Sequence, residues 1–210
     1  MLRWGKVEVT GGFLLLLAWL NYRDTQGLVL PAMCAAAVHE LGHWVAIRLL
    51  GGRVERLRLC AVGAEMKLGS SLSYVRELLC AIAGPASSLL LAWAAARFGG
   101  EGAFVFAGMS LVLGCFNLLP LSVLDGGKSL LCVTRLLLGP DRAQRIQQVI
   151  DRASAAVVLL AGTVICGVGG NVTLLVIALW LCSTFGKGLL ERCRKKGLSR
   201  DVSTGKMVHV

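Results

Sequence analysis

Six apolar runs, most of them close to the length that crosses a bilayer, leave this 210-residue chain few folds to choose from. A spanning helix needs about 20 apolar residues, with a range near 17–25. The runs cover about residues 9–22, 28–50, 78–96, 103–124, 153–168 and 172–189. The first is short for a span. The last two flank Gly169-Gly170-Asn171, a sequence suited to a tight turn. Composition agrees: 56% of residues are hydrophobic and only 16% charged, where a soluble domain is nearer one half and one quarter. Disorder, a collagen-like rod and a nucleic-acid-binding domain are excluded as readings of the whole chain, since each needs a more polar sequence. The predicted fold class is an all-α polytopic membrane protein with six transmembrane helices. Residues 1–190 form one domain and residues 191–210 a basic cytoplasmic tail.

The net charge of +10 comes from 22 Lys and Arg against 12 Asp and Glu. The basic residues lie between the apolar runs, which assigns them to cytoplasmic loops and anionic lipid headgroups rather than to nucleic acid. With the N-terminus inside, the external loops are 23–27, 97–102 and 169–171, and they hold only Arg23 and Arg97. The opposite orientation puts the other 20 of the 22 outside. The expectation is therefore a multi-pass protein of a bacterial cell membrane with both termini in the cytoplasm. None of the eight cysteines forms a C-x-x-C pair, and most lie inside apolar runs, so no disulfide framework is expected. The first run is followed by Asn21-Tyr22-Arg23-Asp24 rather than by small residues, and no cleavable signal peptide is expected.

Two cytoplasmic stretches have a pattern of their own. Residues 51–77 partly alternate apolar and polar, which suits a small β-hairpin after the second span; a solvated loop resting on headgroups is the other reading. Residues 128–152 include Gly139-Pro140-Asp141 and then a basic amphipathic sequence, predicting a helix that starts near Pro140 and runs into the fifth span.

The chemistry is concentrated in one place. Of the twelve acidic residues only Glu40 and Asp125 fall within a span or at its edge, and the two histidines of the membrane region, His39 and His43, flank Glu40. An ionisable group in hydrocarbon is costly and is by default functional. His39-Glu40-Leu41-Gly42-His43 is an H-E-x-x-H string. On a helix, residues i and i+4 share a face, so both histidines can hold one metal while Glu40 serves as base. The bland alternative is a pair of core histidines bonded to neighbouring helices. Catalytic zinc usually takes three protein ligands, and Asp125 is the remaining intramembrane acid. It follows Pro120 at the cytoplasmic end of the fourth run, so its backbone must dip into the membrane where Pro120 and Gly126-Gly127 break the helix. Otherwise Asp125 is a helix C-terminal residue facing water.

On these residues the chain resembles the site-2 protease family of intramembrane zinc metalloproteases, and looks most like the small bacterial branch that includes a sporulation protease. The anchors are His39 to His43 and the segment Phe116-Asn117-Leu118-Leu119-Pro120-Leu121-Ser122-Val123-Leu124-Asp125-Gly126-Gly127; Ala83-Gly84-Pro85-Ala86-Ser87-Ser88 is a weaker one. The resemblance implies one Zn2+ per chain on His39, His43 and Asp125, Glu40 as catalytic base, and Asn117 near the substrate backbone or oxyanion. It also implies a transmembrane protein as substrate and leaves room for a regulatory membrane partner. Three departures stand out: Ser122 and Val123 where prolines are usual, Ser88 where an asparagine is common, and Lys128 where an arginine is frequent. Regulation through a PDZ insert or a nucleotide-sensing domain is not expected. The competing readings are a zinc-binding pseudoprotease scaffold, which would have no need of Glu40, and an ion transporter, which would spread polar residues over several spans.

Overall fold

A computed structural model describes residues 2–60, 63–69, 72–100 and 102–167. The elements in chain order are β1 (Leu2–Trp4), β2 (Val7–Val9), α1 (Gly11–Arg23), α2 (Val29–Leu49), β3 (Val54–Cys60), β4 (Gly63–Leu68), α3 (Tyr74–Phe98), α4 (Ala103–Asn117), α5 (Asp125–Leu138) and α6 (Pro140–Gly167). The protein is mostly helical with one small sheet. The chain divides into two compact units, Met1–Gln147 and Gln148–Val210. The first holds every element from β1 to α5, and α6 begins in it and continues into the second. The sixth apolar run, the 169–171 turn and the 191–210 tail lie outside the described residues.

Within the first unit α3 is the central helix, packed against α2, α4 and α5. Small residues let it approach them closely, the usual device where helices meet in lipid. A Cβ on Gly42 would stand 2.7 Å from the Ala83 carbonyl oxygen, and one on Gly114 would stand 3.1 Å from Ser88 Cβ. Among the described residues α3 is the one helix both long and apolar enough to cross a membrane, and α4 is a shorter apolar helix. α2 has 21 residues, but His39, Glu40, His43 and Arg48 interrupt its apolar character.

The hairpin expected in 51–77 exists as β3 and β4, but it belongs to a larger sheet. The order is β1-β2-β3-β4, with β1–β2 and β3–β4 antiparallel and β2–β3 parallel. A register shift between Val54 and Arg56 keeps Val54 on the same face as Leu57. Val54 packs with Ile47 and Cys80, and Met66 and Leu50 close the cluster, so the sheet rests on the end of α2 and the start of α3. Glu8, Arg58 and Glu65 are register partners across three strands, an alternating row of charge, and the Glu8 carboxylate also meets Arg56 Nε at 3.5 Å.

The helix ends are set by local bonds. Thr10 Oγ1 accepts from Phe13 N at 3.3 Å and caps α1, and the Thr10 amide and hydroxyl both donate to Leu59 O at 3.0 Å. Asp24 accepts from the amides of Leu28 and Val29, both at 2.9 Å, and leads the chain into α2. These bonds, that from Val29 first, hold the Asp24 carboxyl below the usual carboxylate range. At the far end Gly51 takes φ +80°, and the Gly52 amide donates back to Ile47 O at 2.8 Å.

Two expectations need correcting. The fourth run does not stay helical to residue 124: α4 ends at Asn117. Pro120 has no N–H to offer a helix, and residues 118–124 close instead through short bonds, Leu121 N to Leu119 O and Leu124 N to Leu121 O, each 2.8 Å. The helix expected from Pro140 is α6, and a helix that was not expected precedes it. Asp125 opens α5, so it stands at a helix N-terminus rather than at a C-terminal turn.

Candidate metal centre

The site begins on α2. His39 and His43 lie one turn apart on its inner face, their rings edge to face with centroids 4.9 Å apart. Across from them, the first residue of α5 presents Asp125. Its Oδ2 lies 3.1 Å from His39 Nε2 and 3.0 Å from His43 Nε2, and the two Nε2 atoms are 3.2 Å apart. His39 and Asp125 are only 4% and 5% exposed.

The outer bonds suit these three atoms to a cation. His43 Nδ1 lies 2.8 Å from the Cys80 carbonyl oxygen. A carbonyl only accepts, so Nδ1 carries the proton and, in the neutral ring, Nε2 presents a lone pair. His39 Nδ1 lies 3.0 Å from Ser88 Oγ, in position to donate to it while its own Nε2 also turns inward. Asp125 divides its carboxylate: Oδ1 accepts from Lys128 Nζ at 2.9 Å, leaving Oδ2 to the histidines. Three electron-rich atoms thus face one point, and a single cation there satisfies all of them. Ligands ~2.0–2.1 Å from a tetrahedral zinc stand ~3.3 Å from one another, and these stand 3.0–3.2 Å apart. The residues present therefore fit such an ion. No other group of three or more such side chains occurs among the described residues.

Glycines make the approach feasible. A Cβ on Gly84 would collide with the His43 ring, 2.7 Å from its Cδ2. Gly126 and Gly127 seat the start of α5 directly on the 118–122 backbone: a Cβ there would stand 2.6 Å from Leu119 O and 2.6 Å from Ser122 N respectively. Their service is this contact rather than the helix break the sequence suggests.

The comparisons with known proteins fit this geometry. The sequence profile of peptidase family M50 matches residues 100–161, which take in Asn117 and Asp125. The chain is 30% identical over 182 residues to the zinc metalloprotease Rip3 of Mycobacterium tuberculosis, an alignment covering 75% of this chain and 45% of Rip3. It is 25% identical over 156 residues to a zinc metalloprotease of Methanocaldococcus jannaschii, covering 70% of this chain and 44% of that protein. The fold is similar to that of a site-2 protease from the same archaeon, with a TM-score of 0.65 and 21% identity, over 89% of this chain and 93% of that one. These matches give the chain a peptidase family M50 segment over residues 100–161, zinc metalloprotease relatives and a fold similar to that of a site-2 protease. Site-2 proteases are integral membrane proteins, and the apolar helices agree. The chain spans less than half the length of the two metalloproteases.

Against the site-2 protease expectation, the structure brings His39, His43 and Asp125 together on two helices far apart in sequence. Glu40 stands half-buried beside them, within electrostatic reach of both histidines and Asp125. Asn117 is not drawn into the triangle: its Nδ2 donates to Leu113 O of its own helix at 3.0 Å. Sequence reasoning missed the outer partners. Ser88 and Lys128 drew notice only as departures from the family pattern, and the Cys80 carbonyl, being backbone, carries no sequence signal.

Proposed function

We propose that this chain is a zinc-dependent intramembrane endopeptidase that cuts a transmembrane or membrane-associated protein near the cytoplasmic face. The observation that carries the reading is the triangle of His39 Nε2, His43 Nε2 and Asp125 Oδ2, 3.0–3.2 Å on a side, with outer bonds to Ser88, the Cys80 carbonyl and Lys128. In this reading those three residues hold one Zn2+ per chain. When bound, zinc lowers the pKa of its water and polarises the scissile carbonyl. Glu40 takes a proton from the attacking water and returns it to the leaving amine. Ser88 and the Cys80 carbonyl orient the imidazoles, and Lys128 keeps Asp125 single-handed toward the metal. Asn117 acts on the substrate backbone or oxyanion once its bond to Leu113 is exchanged.

A transmembrane helix has its amides paired and must unwind before it is cut. β4 has β3 on one side only in the sheet, and its other side accepts an unwound segment as an added strand. The chain is placed in a bacterial cell membrane as six spans with both termini in the cytoplasm, its basic loops against anionic headgroups. A regulatory membrane partner and a sporulation factor as substrate are drawn from the resemblance to the sporulation branch.

The test compares membranes of the native host carrying wild type or Glu40→Gln, by mass spectrometry of transmembrane-protein fragments. A single-pass protein should accumulate uncut in the variant, with cleavage lowered at least ~10²–10⁴-fold and zinc content unchanged. Equal fragment patterns, with both proteins zinc-loaded, would turn the reading to a zinc-binding scaffold.

A further inference from the structure

The geometry points to Gln147 as a positioning residue for the metal centre, acting from α6 through the Pro120 carbonyl. The inference rests on the reading of Asp125 as a zinc ligand. Gln147 is the largest fully buried side chain among the described residues, at 2% exposure. Its Nε2 donates to Pro120 O at 3.0 Å. Pro120 lies in the middle of residues 118–124, where α4 has ended and α5 has not begun.

Broken backbone at membrane depth is tolerated only when its polar groups find partners within the protein. Gln147 gives one of these carbonyls a side-chain donor, with Ala143 buried one turn before it on the same helix face. The clamped segment is also the surface on which α5 sits, since Gly126 and Gly127 press against Leu118, Leu119, Leu121 and Ser122. Asp125 is the residue immediately before those glycines. A shift of the Pro120 peptide therefore moves the floor of α5 and with it Oδ2, which must stay near 3 Å from two nitrogens on another helix. Gln147 is not one of the three metal-facing side chains; through Pro120 its effect is on where Asp125 stands.

The experiment uses the full chain in lipid nanodiscs with zinc alone as the probe. Zinc affinity is measured by chelator competition for wild type, Gln147→Met, Gln147→Leu and Asp125→Ala. Gln147→Met keeps the bulk and removes the donor; Gln147→Leu also removes the donor and serves if the first variant does not fold. Both should bind zinc ~10–100-fold more weakly, as outer-shell losses do. Amide exchange should rise across 118–127 and stay unchanged in α2. Wild-type zinc affinity in the two variants, while Asp125→Ala has lost zinc, would overturn the role, even with a lower melting temperature. Wild-type affinity in Asp125→Ala would overturn the metal reading itself.

Discussion

At the scale of single residues, the site is governed by how little room it has. Gly84 is a helix residue with an ordinary backbone conformation, yet the His43 ring occupies the space its side chain would need. Gly84→Ala should therefore act on the metal rather than on helix propensity, which favours alanine. We expect zinc affinity to fall ~10–100-fold while the helix content by circular dichroism stays at the wild-type value. A variant that bound zinc normally would mean that His43 has another rotamer from which to reach the ion. The same economy explains Ser88. A serine hydroxyl, short enough to fit between the helices, meets His39 Nδ1 at 3.0 Å. Lys128 likewise needs only one ammonium hydrogen for Asp125 Oδ1, a bond that a lysine makes as well as an arginine.

At the scale of elements, helix boundaries carry the information. Asp24 sits outside α2 and binds the first two amides of that end through both carboxylate oxygens. Its folded pKa is depressed, so the stabilisation is complete above the ordinary carboxylate pKa near ~4. It is lost as pH falls through the depressed value. The melting temperature of Asp24→Asn should thus lie below wild type at pH 7 and converge on it in acid; a constant gap would show that the charge plays no part. The apolar runs were legible by their length, and the H-E-x-x-H string and the β3–β4 pair because each follows a period: 3.6 for a face, 2 for a strand. β1 and β2 were not, since three residues each are too few to show alternation. α5 was hidden for another reason. Asp125-Gly126-Gly127 reads locally as a breaker, and only the backbone of 118–122 lying beneath the glycines makes it a helix start. Asn117 carried the resemblance but not the geometry, because a bond back to its own helix is invisible in a motif.

At the scale of the molecule, the sheet constrains how the first unit is threaded. β2 leads into α1 and β3 follows α2, and the two strands are joined side by side, with Thr10 bonded to Leu59. The start of α1 and the end of α2 therefore lie together beside one sheet, so if α2 and the 13-residue α1 both cross a membrane, they cross in opposite directions. Single cysteines at Lys6 and Arg53, in an otherwise cysteine-free chain, should react with an impermeant maleimide from the same side. Labelling from opposite sides would break the parity. This pairing also has a consequence in time. Residues 7–9 are made about 50 residues before the strand they join, which at 5–20 residues per second is ~3–10 s of synthesis. During those seconds β2 is without its partner strand. Ribosome-stalled chains that end before β3 should leave residues 2–9 open to protease, and chains that carry β3 clear of the ribosome should close them.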